Sequence, residues 1–242
     1  MMMKRKGMRI LIFILTPIFV LFGLFLIYTI DDYDLVPYCD DAYDHIFINE
    51  DHREITYGLS DASVGIIFYQ GGKVDEKAYE LFLLKLASND LFIVNVKMPF
   101  NLAVFGSNRA MDVIEKYQDI GTWYIMGHSL GGAMASTFAS NHSDLIEGII
   151  LLSAYASSDL SASSISMLSI YGSKDGVLSM DQVESTRINN PMNTTYIVIE
   201  GGNHSGFANY GEQQGDFEAD ITPFAQQNLT VFAIIDFLTS SR

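Results

Sequence analysis

The feature that most constrains the fold is a glycine-flanked serine in residues 127–132, Gly-His-Ser-Leu-Gly-Gly. It follows a β-prone run, residues 122–126, and precedes a run of small residues that favours a helix, residues 133–139. A strand that turns directly into a helix around a serine requires a sharp turn with a strained serine backbone. Glycines two residues before and two after Ser129 remove the Cβ atoms that would collide there. The pattern therefore predicts a strand–turn–helix unit that exposes the Ser129 hydroxyl beside the N–H groups of the helix N-terminus.

Two later loops contain the residue types that a nucleophilic serine needs. A serine hydroxyl becomes a good nucleophile only when a base takes its proton and a third group orients that base. Asp175 follows a β-prone run, residues 166–171, and His204 follows another, residues 195–199. Both residues lie in glycine-rich loops past strand ends, where open α/β sheets place catalytic groups. The chain order Ser129, Asp175, His204 is the order expected of a hydrolase with this serine motif.

These motifs resemble those of the α/β-hydrolases and, more narrowly, of the small, lidless hydrolases similar to the dienelactone-hydrolase-like group. The likeness covers residues 64–237. It implies that Ser129 is the nucleophile, that Asp175 is the acid and that His204 is the base.

The same resemblance implies an oxyanion hole made of two backbone N–H groups. One is the N–H of Leu130, directly after the serine. The other comes from the loop at residues 70–73, where the family usually has His-Gly and this chain has Gln-Gly. Either Gly72 or Lys73 supplies this second N–H, and the sequence leaves the choice open.

The other histidines form no pattern that predicts chemistry. His128 fills the variable position of the serine motif and is expected to point away from the site. His142 falls at a helix end, and His45 and His52 lie upstream of the hydrolase-like region. No cluster has metal-ligand spacing, and no glycine-rich dinucleotide or phosphate fingerprint appears. The sequence therefore implies neither a metal nor a cofactor.

The N-terminal segment predicts a membrane anchor. Residues 10–30 form a run of 21 residues without a charge, and as a helix this run would be about 30 Å long, enough to cross a bilayer core. Basic residues precede it and acidic residues follow it, namely Lys4, Arg5, Lys6, Arg9, Asp31, Asp32 and Asp34. The positive-inside rule then predicts a cytoplasmic N-terminus at residues 1–9, a single transmembrane signal anchor at residues 10–30, and an extracytoplasmic domain at residues 31–242.

A cleaved signal peptide is the alternative interpretation of this segment. The apolar run is longer than the usual h-region of about 7–15 residues, and no small-x-small cleavage site ends it. Both features favour an anchor that is not cleaved.

Composition limits the partners of the remaining chain. The formal net charge is −15 even though the N-terminus is basic, so nucleic acid and anionic lipid head groups would be repelled. About 210 residues follow the apolar run, which suits one domain with a sizeable core. Cys39 is the only cysteine, which excludes an intramolecular disulfide.

Apolar runs predict one α/β domain with a mostly parallel, doubly wound sheet and helices on both faces. After an antiparallel pair at residues 46–48 and 54–57, nearly continuous apolar runs indicate strands buried on both faces, at residues 66–69, 91–96, 123–127, 148–152, 167–171 and 196–199. Helices are predicted at residues 75–87, 109–117, 131–141, 181–189 and 228–239. The segment at residues 153–166 is too short for a cap domain, which predicts an open site.

Together these features predict a membrane-anchored serine hydrolase whose partner is a small-molecule ester. The expected reaction is cleavage of a small acyl or lactone-like carboxylic ester through an acyl-Ser129 intermediate. Two alternatives stay open. The same residues would serve an acyltransferase, which passes the acyl group to an acceptor other than water, or a thioesterase. The domain could also be a non-catalytic binding module on a hydrolase fold.

Overall fold

The computed structural model of the protein describes residues 41–240. It also describes a few earlier positions, which are Pro17, Val20, Leu21, Gly23, Leu24, Tyr33 and residues 35–37. The chain divides into two units, residues 1–32 and residues 33–242. The predicted cytoplasmic N-terminus, residues 1–9, and most of the predicted anchor, residues 10–30, lie outside the described residues. Within the described residues, no helix is long and apolar enough to cross a membrane.

The described residues form an eight-stranded sheet with the strand order β1-β2-β4-β3-β5-β6-β7-β8. The strands are β1 (Ile48–Glu50), β2 (Glu54–Tyr57), β3 (Val64–Tyr69), β4 (Phe92–Val96), β5 (Thr122–His128), β6 (Gly148–Leu152), β7 (Ser166–Gly172) and β8 (Thr194–Ile199). Strand β2 is antiparallel to both of its neighbours, β1 and β4. The remaining neighbours in that order run parallel. The predicted mostly parallel sheet is confirmed.

Alternation along the central strands divides the hydrophobic core into two layers, because successive side chains of a strand point to opposite faces. On β5, Tyr124 and Met126 belong to one layer, whereas Trp123 and Ile125 belong to the other. The first layer is covered by α1 (Glu80–Ala87) and α5 (Pro223–Ser240), and the second by α2 (Arg109–Lys116) and α3 (Leu130–Asn141). A shorter helix, α4 (Met180–Thr186), packs through Val183 against Tyr171.

Two helices begin more than one residue away from their predicted starts. The C-terminal helix starts at Pro223 instead of residue 228, because proline suits the first turn of a helix and the Thr222 hydroxyl accepts a backbone N–H of that turn. The helix predicted from residue 75 begins as a 3-10 turn, Glu76–Tyr79, and continues as α1. These differences move helix ends and leave the layers unchanged.

The carboxyl ends of β3, β5, β7 and β8 meet at one edge of the sheet, because these strands run parallel. The chain leaves them into the loops that carry Gln70, Ser129, Asp175 and His204. The connection between β6 and β7, residues 153–165, contains neither helix nor strand. No cap domain is therefore built from this connection.

Candidate active site

Ser129 lies in the sharp turn between β5 and α3. Its φ of 52° and ψ of −120° are a strained conformation for a residue with a side chain. Its N–H donates to the Leu152 carbonyl at 3.0 Å, which ties the turn to the end of β6. A Cβ atom on Gly127 would lie 2.4 Å from the carbonyl carbon of Gly131. Glycine is therefore required where the strand and the helix approach each other.

Asp175 and His204 form a buried pair at the same edge of the sheet. The Nδ1 atom of His204 lies 3.1 Å from each carboxylate oxygen of Asp175, and their side chains are 2% and 1% exposed. The Oδ1 atom of Asp175 also accepts the N–H groups of Val177 and Leu178. Burial alone would raise the pKa of Asp175, but the His204 ring and the Leu178 N–H hold that pKa below its usual value. The carboxylate is therefore ionised at neutral pH.

The second ring nitrogen of His204 has no hydrogen-bond partner among the described residues. Its Nε2 atom is buried and accepts no hydrogen bond from the described residues. When Nδ1–H donates to Asp175, Nε2 carries a free lone pair, as a general base requires. The structure does not join Ser129 to His204 by a hydrogen bond, although the His204 ring lies 4.8 Å, centroid to centroid, from the ring of His128, the residue before Ser129.

The two candidate N–H donors for the second oxyanion position differ in availability. The Lys73 N–H donates to the Asn101 carbonyl at 2.8 Å, so it is already occupied. The Gly72 N–H has no acceptor among the described residues. A Cβ atom on Gly72 would lie 3.0 Å from the Leu130 side chain, and the Leu130 N–H, the first of α3, has no acceptor within the helix. The geometry favours the pair Gly72 and Leu130 over a pair that includes Lys73.

Gln70, which stands where the related family usually has histidine, is fully buried and stabilises the loop beside it. Its Nε2 atom donates to the Val74 carbonyl at 3.3 Å and to the Asn101 Oδ1 atom at 3.1 Å. These bonds hold both sides of the turn that carries Gly72. The departure from the family pattern therefore preserves the loop through a side-chain amide.

The prediction that His128 points away from the site is wrong. The side chain is buried, its Nε2 atom lies 3.1 Å from the His204 carbonyl oxygen, and its Nδ1 atom lies 2.8 Å from the Tyr79 hydroxyl. Alternation along β5 explains the position, because His128 lies two residues beyond Met126 on the same face of the strand. The alternation of side chains along a strand would have predicted this position from the sequence.

Asp216 is a site residue that sequence reasoning missed. Its Oδ1 atom accepts the N–H groups of Gly176 at 3.0 Å and His204 at 3.2 Å, and its Oδ2 atom accepts the N–H of Ser205 at 2.9 Å. One carboxylate therefore joins the loop of Asp175 to the loop of His204. No local pattern marks this residue, because it reaches both loops from an irregular segment far along the chain.

Tyr33 and Val36, which precede the first strand, lie against two loops of the site. The Tyr33 N–H donates to the Lys73 carbonyl at 3.0 Å, and the Val36 N–H donates to the Asn209 carbonyl at 2.9 Å. The rings of Tyr33 and Tyr210 are 5.3 Å apart. We call the described residues Tyr33, Leu35 and Val36 the N-terminal strap, because its backbone bonds reach both the loop at residues 70–73 and the loop that follows His204.

A cavity of 580 Å³ opens beside the histidine loop. Asn203 and Ser205, the neighbours of His204, line one side, and the segment that carries Glu212, Asp216 and Phe217 lines the other. In the part of the chain that is described, no group of three or more His, Cys, Asp or Glu side chains is placed to hold a metal ion.

Comparison with known proteins identifies the family. Residues 65–228 match the alpha/beta hydrolase family. Among solved structures, a predicted CIB-like hydrolase from Thermoplasma acidophilum is 16% identical with a TM-score of 0.61, over 80% of this chain and 98% of that one. Est1E from Butyrivibrio proteoclasticus is 12% identical with a TM-score of 0.58, over 81% of this chain and 98% of that one. At these identities the two structures show a shared fold alone.

No curated protein sequence matches the chain. The family match nevertheless spans more than half of the residues and covers the loops of Ser129, Asp175 and His204. The chain belongs to the alpha/beta hydrolase family.

Proposed function

We propose that the protein is a serine hydrolase that cleaves a carboxylic ester, of the small acyl or lactone-like kind, through an acyl-Ser129 intermediate. The observation that carries the proposal is the buried pair of Asp175 and His204, in which the Nε2 atom of His204 has no hydrogen-bond partner among the described residues and is free to act as a base. A strained serine at a strand–helix turn lies at the same sheet edge. These are the parts that acyl transfer by a serine requires.

In this mechanism, His204 transfers the proton of the Ser129 hydroxyl to the leaving group. Its Nε2 atom takes the hydroxyl proton as Ser129 attacks the substrate carbonyl carbon, and it then gives that proton to the leaving alcohol oxygen. The ionised Asp175 holds the ring orientation and stabilises the imidazolium formed between the two steps. Water then attacks the acyl carbon with His204 again as the base. The bond from that carbon to the Ser129 oxygen breaks, the imidazolium returns its proton to that oxygen, and the carboxylic acid leaves. Ser129 and His204 are not hydrogen-bonded in the structure, and bonds between a nucleophile and its base often tighten only in the complex with substrate.

The negative charge that develops on the carbonyl oxygen is held by two backbone N–H groups. We assign these to Leu130 and Gly72, whose N–H groups have no acceptor among the described residues. Removal of one oxyanion-hole donor, a side-chain amide, from a well-studied protease costs about 2.7–4 kcal/mol of transition-state stabilisation. Backbone donors need no particular side chain, which explains how Gln70 can replace histidine without loss of the hole.

The test is hydrolysis of p-nitrophenyl esters from acetate to decanoate by the full chain, with Ser129→Ala and Ser140→Ala alongside. Ser140 lies on the exposed surface of α3, so its variant is the matched control. We expect activity that is highest for short acyl chains, lost in Ser129→Ala and kept in Ser140→Ala. A fluorophosphonate probe should label the wild-type chain and the control only. Equal activity in Ser129→Ala would refute the nucleophile.

We further propose, on the sequence alone, that residues 10–30 anchor the chain in a membrane with residues 31–242 on the extracytoplasmic side. Alkaline extraction of membranes tests the anchor. The full chain should stay in the membrane pellet, whereas a chain that begins at Asp31 should be released. Release of the full chain would contradict the anchor.

A further inference from the structure

We propose that Tyr79 and His128 form a positioning relay, a buried chain of hydrogen bonds that holds the oxyanion loop and the catalytic histidine loop at a fixed distance. This inference rests on the proposed function. It assigns a role in the reaction to two residues that touch neither substrate nor the reacting atoms.

The relay has three hydrogen bonds in series. The Gly71 N–H donates to the Tyr79 hydroxyl oxygen at 3.0 Å. The Tyr79 hydroxyl lies 2.8 Å from the Nδ1 atom of His128, and the Nε2 atom of His128 lies 3.1 Å from the His204 carbonyl oxygen. One end of the relay is therefore the residue before Gly72, and the other end is the backbone of the proposed base.

Hydrogen-bond chemistry fixes the position of each proton along the relay. The His204 carbonyl can only accept, so the Nε2 atom of His128 must carry a hydrogen. A neutral ring then has a lone pair on Nδ1, which accepts the Tyr79 hydroxyl proton. The Tyr79 oxygen in turn accepts the Gly71 N–H. Each donor along the chain has one acceptor, so only one direction of the three bonds is consistent.

The surroundings keep His128 in the neutral form that the relay needs. Burial, together with the neighbouring His204, lowers the pKa of His128 to about 3. The titratable groups that face the ring are Tyr79, His204 and Asp175, from three different elements. Burial also raises the pKa of Tyr79, so the hydroxyl stays protonated. The relay therefore keeps one protonation state at neutral pH.

The oxyanion loop lies directly on the relay. A Cβ atom on Gly71 would be 2.9 Å from the His128 Nδ1 atom and 2.9 Å from the Tyr79 hydroxyl oxygen. Outside Gly71 and its chain neighbours, these two side-chain atoms are the nearest to that Cβ position, so the loop packs directly on them. A shift of the Tyr79 hydroxyl must therefore move Gly71, and with it the Gly72 N–H. Misplacement of a catalytic group by about 1 Å can cost about 100-fold in rate.

Tyr79→Phe tests the relay, and Tyr69→Phe is its matched control. The Tyr69 hydroxyl is also buried with two hydrogen bonds, to the Ser107 carbonyl at 2.9 Å and from the Ala110 N–H at 2.8 Å, but it lies in the other core layer. Both variants should lower Tm to a similar extent. We expect kcat for p-nitrophenyl acetate to fall about 10- to 100-fold in Tyr79→Phe with KM changed less than about twofold, because the relay positions transition-state donors. Tyr69→Phe should keep both constants within about twofold.

A second pair of variants supports the same test. His128→Gln retains one donor and one acceptor and should restore part of the rate that His128→Leu loses. Should the variants fail to fold, ¹⁵N NMR of the wild-type histidines decides: His128 should show the Nε2–H tautomer and no titration between about pH 5 and 8. Titration in that range, or the other tautomer, would overturn the relay.

The outcomes separate the relay from the proposed function. An active wild-type chain with kcat unchanged in Tyr79→Phe would overturn the relay alone, as would equal losses of kcat in Tyr79→Phe and Tyr69→Phe. A wild-type chain that neither hydrolyses esters nor reacts with a fluorophosphonate would overturn the proposed function, and the relay's catalytic role with it.

Discussion

Asp216 offers the sharpest test of how the site is held together. Its carboxylate accepts backbone N–H groups from Gly176, His204 and Ser205 and so joins the loops of the proposed acid and base. We choose Asp216→Asn because the amide keeps the shape of the side chain and removes only one acceptor oxygen. An amide nitrogen must then face at least one backbone N–H, so one hydrogen bond is replaced by two opposed donors.

The size of the effect follows from the bonds that are lost. With the amide nitrogen toward Ser205, the bonds to Gly176 and His204 survive and a single bond to a charged acceptor disappears. Hydrogen bonds to charged groups contribute about 1.5–3 kcal/mol, and the remaining N–H is left without an acceptor. We expect Asp216→Asn to lower the free energy of unfolding by about 2–3 kcal/mol. For a domain of this size, that corresponds to a fall in Tm of about 4–12 °C.

The catalytic effect should exceed the one that stability alone would give. Well below Tm the variant stays folded, but the N–H of Ser205, the residue directly after His204, has lost its acceptor. The His204 loop is then held less firmly, and kcat should fall about 10- to 100-fold. Asp220→Asn, in the same segment, is the control, because Asp220 makes an exposed ion pair with Lys174 at 3.2 Å, and such pairs contribute little. Thermal melts and p-nitrophenyl acetate kinetics at 25 °C measure both effects. Equal kcat in Asp216→Asn and Asp220→Asn would refute the reasoning.

Three further outcomes are expected. Ser129→Ala should abolish fluorophosphonate labelling yet keep Tm within about 2 °C, since no side-chain bond is lost; labelling that persists would contradict the assignment. The pKa of His128 is about 3 in the folded chain and about 6.5 when unfolded, so the unfolded chain binds more protons below pH 6.5. The stability that this difference provides is complete above about pH 6.5 and is lost as pH falls toward 3, by about 2 kcal/mol at pH 5. Urea melts at pH 7 and pH 5 should show a smaller loss in His128→Gln than in the wild type, and an equal loss would argue against a buried neutral ring. Gly127→Ala should lower stability by more than about 2 kcal/mol, because its Cβ would lie 2.4 Å from a backbone carbon; a melt like that of the wild type would contradict this close approach.

Local sequence patterns predict much of the fold. Apolar runs gave the strands of the parallel sheet to within a few residues, since buried strands and their turn residues are neighbours in the chain. Helix ends were less predictable. The start at Pro223 depends on a proline and a capping Thr222 whose effect an apolar period does not detect.

The site residues also differ in whether a local sequence pattern predicts them. Ser129, Asp175 and His204 could be proposed from short motifs because each follows a strand of one parallel sheet. The choice between Gly72 and Lys73 could not, because it depends on the Asn101 carbonyl, which binds the Lys73 N–H from a distant loop. Contacts of that kind become visible only when the chain is folded.

The N-terminal strap changes where the folded unit begins. Its backbone bonds to Lys73 and Asn209 make Tyr33 and Val36 part of the domain, well before the first strand at Ile48. Linkage between coupled segments is reciprocal. A ligand that orders the loop at residues 70–73 should therefore slow hydrogen exchange at the Tyr33 amide, and proteolytic removal of the strap should weaken binding of that ligand.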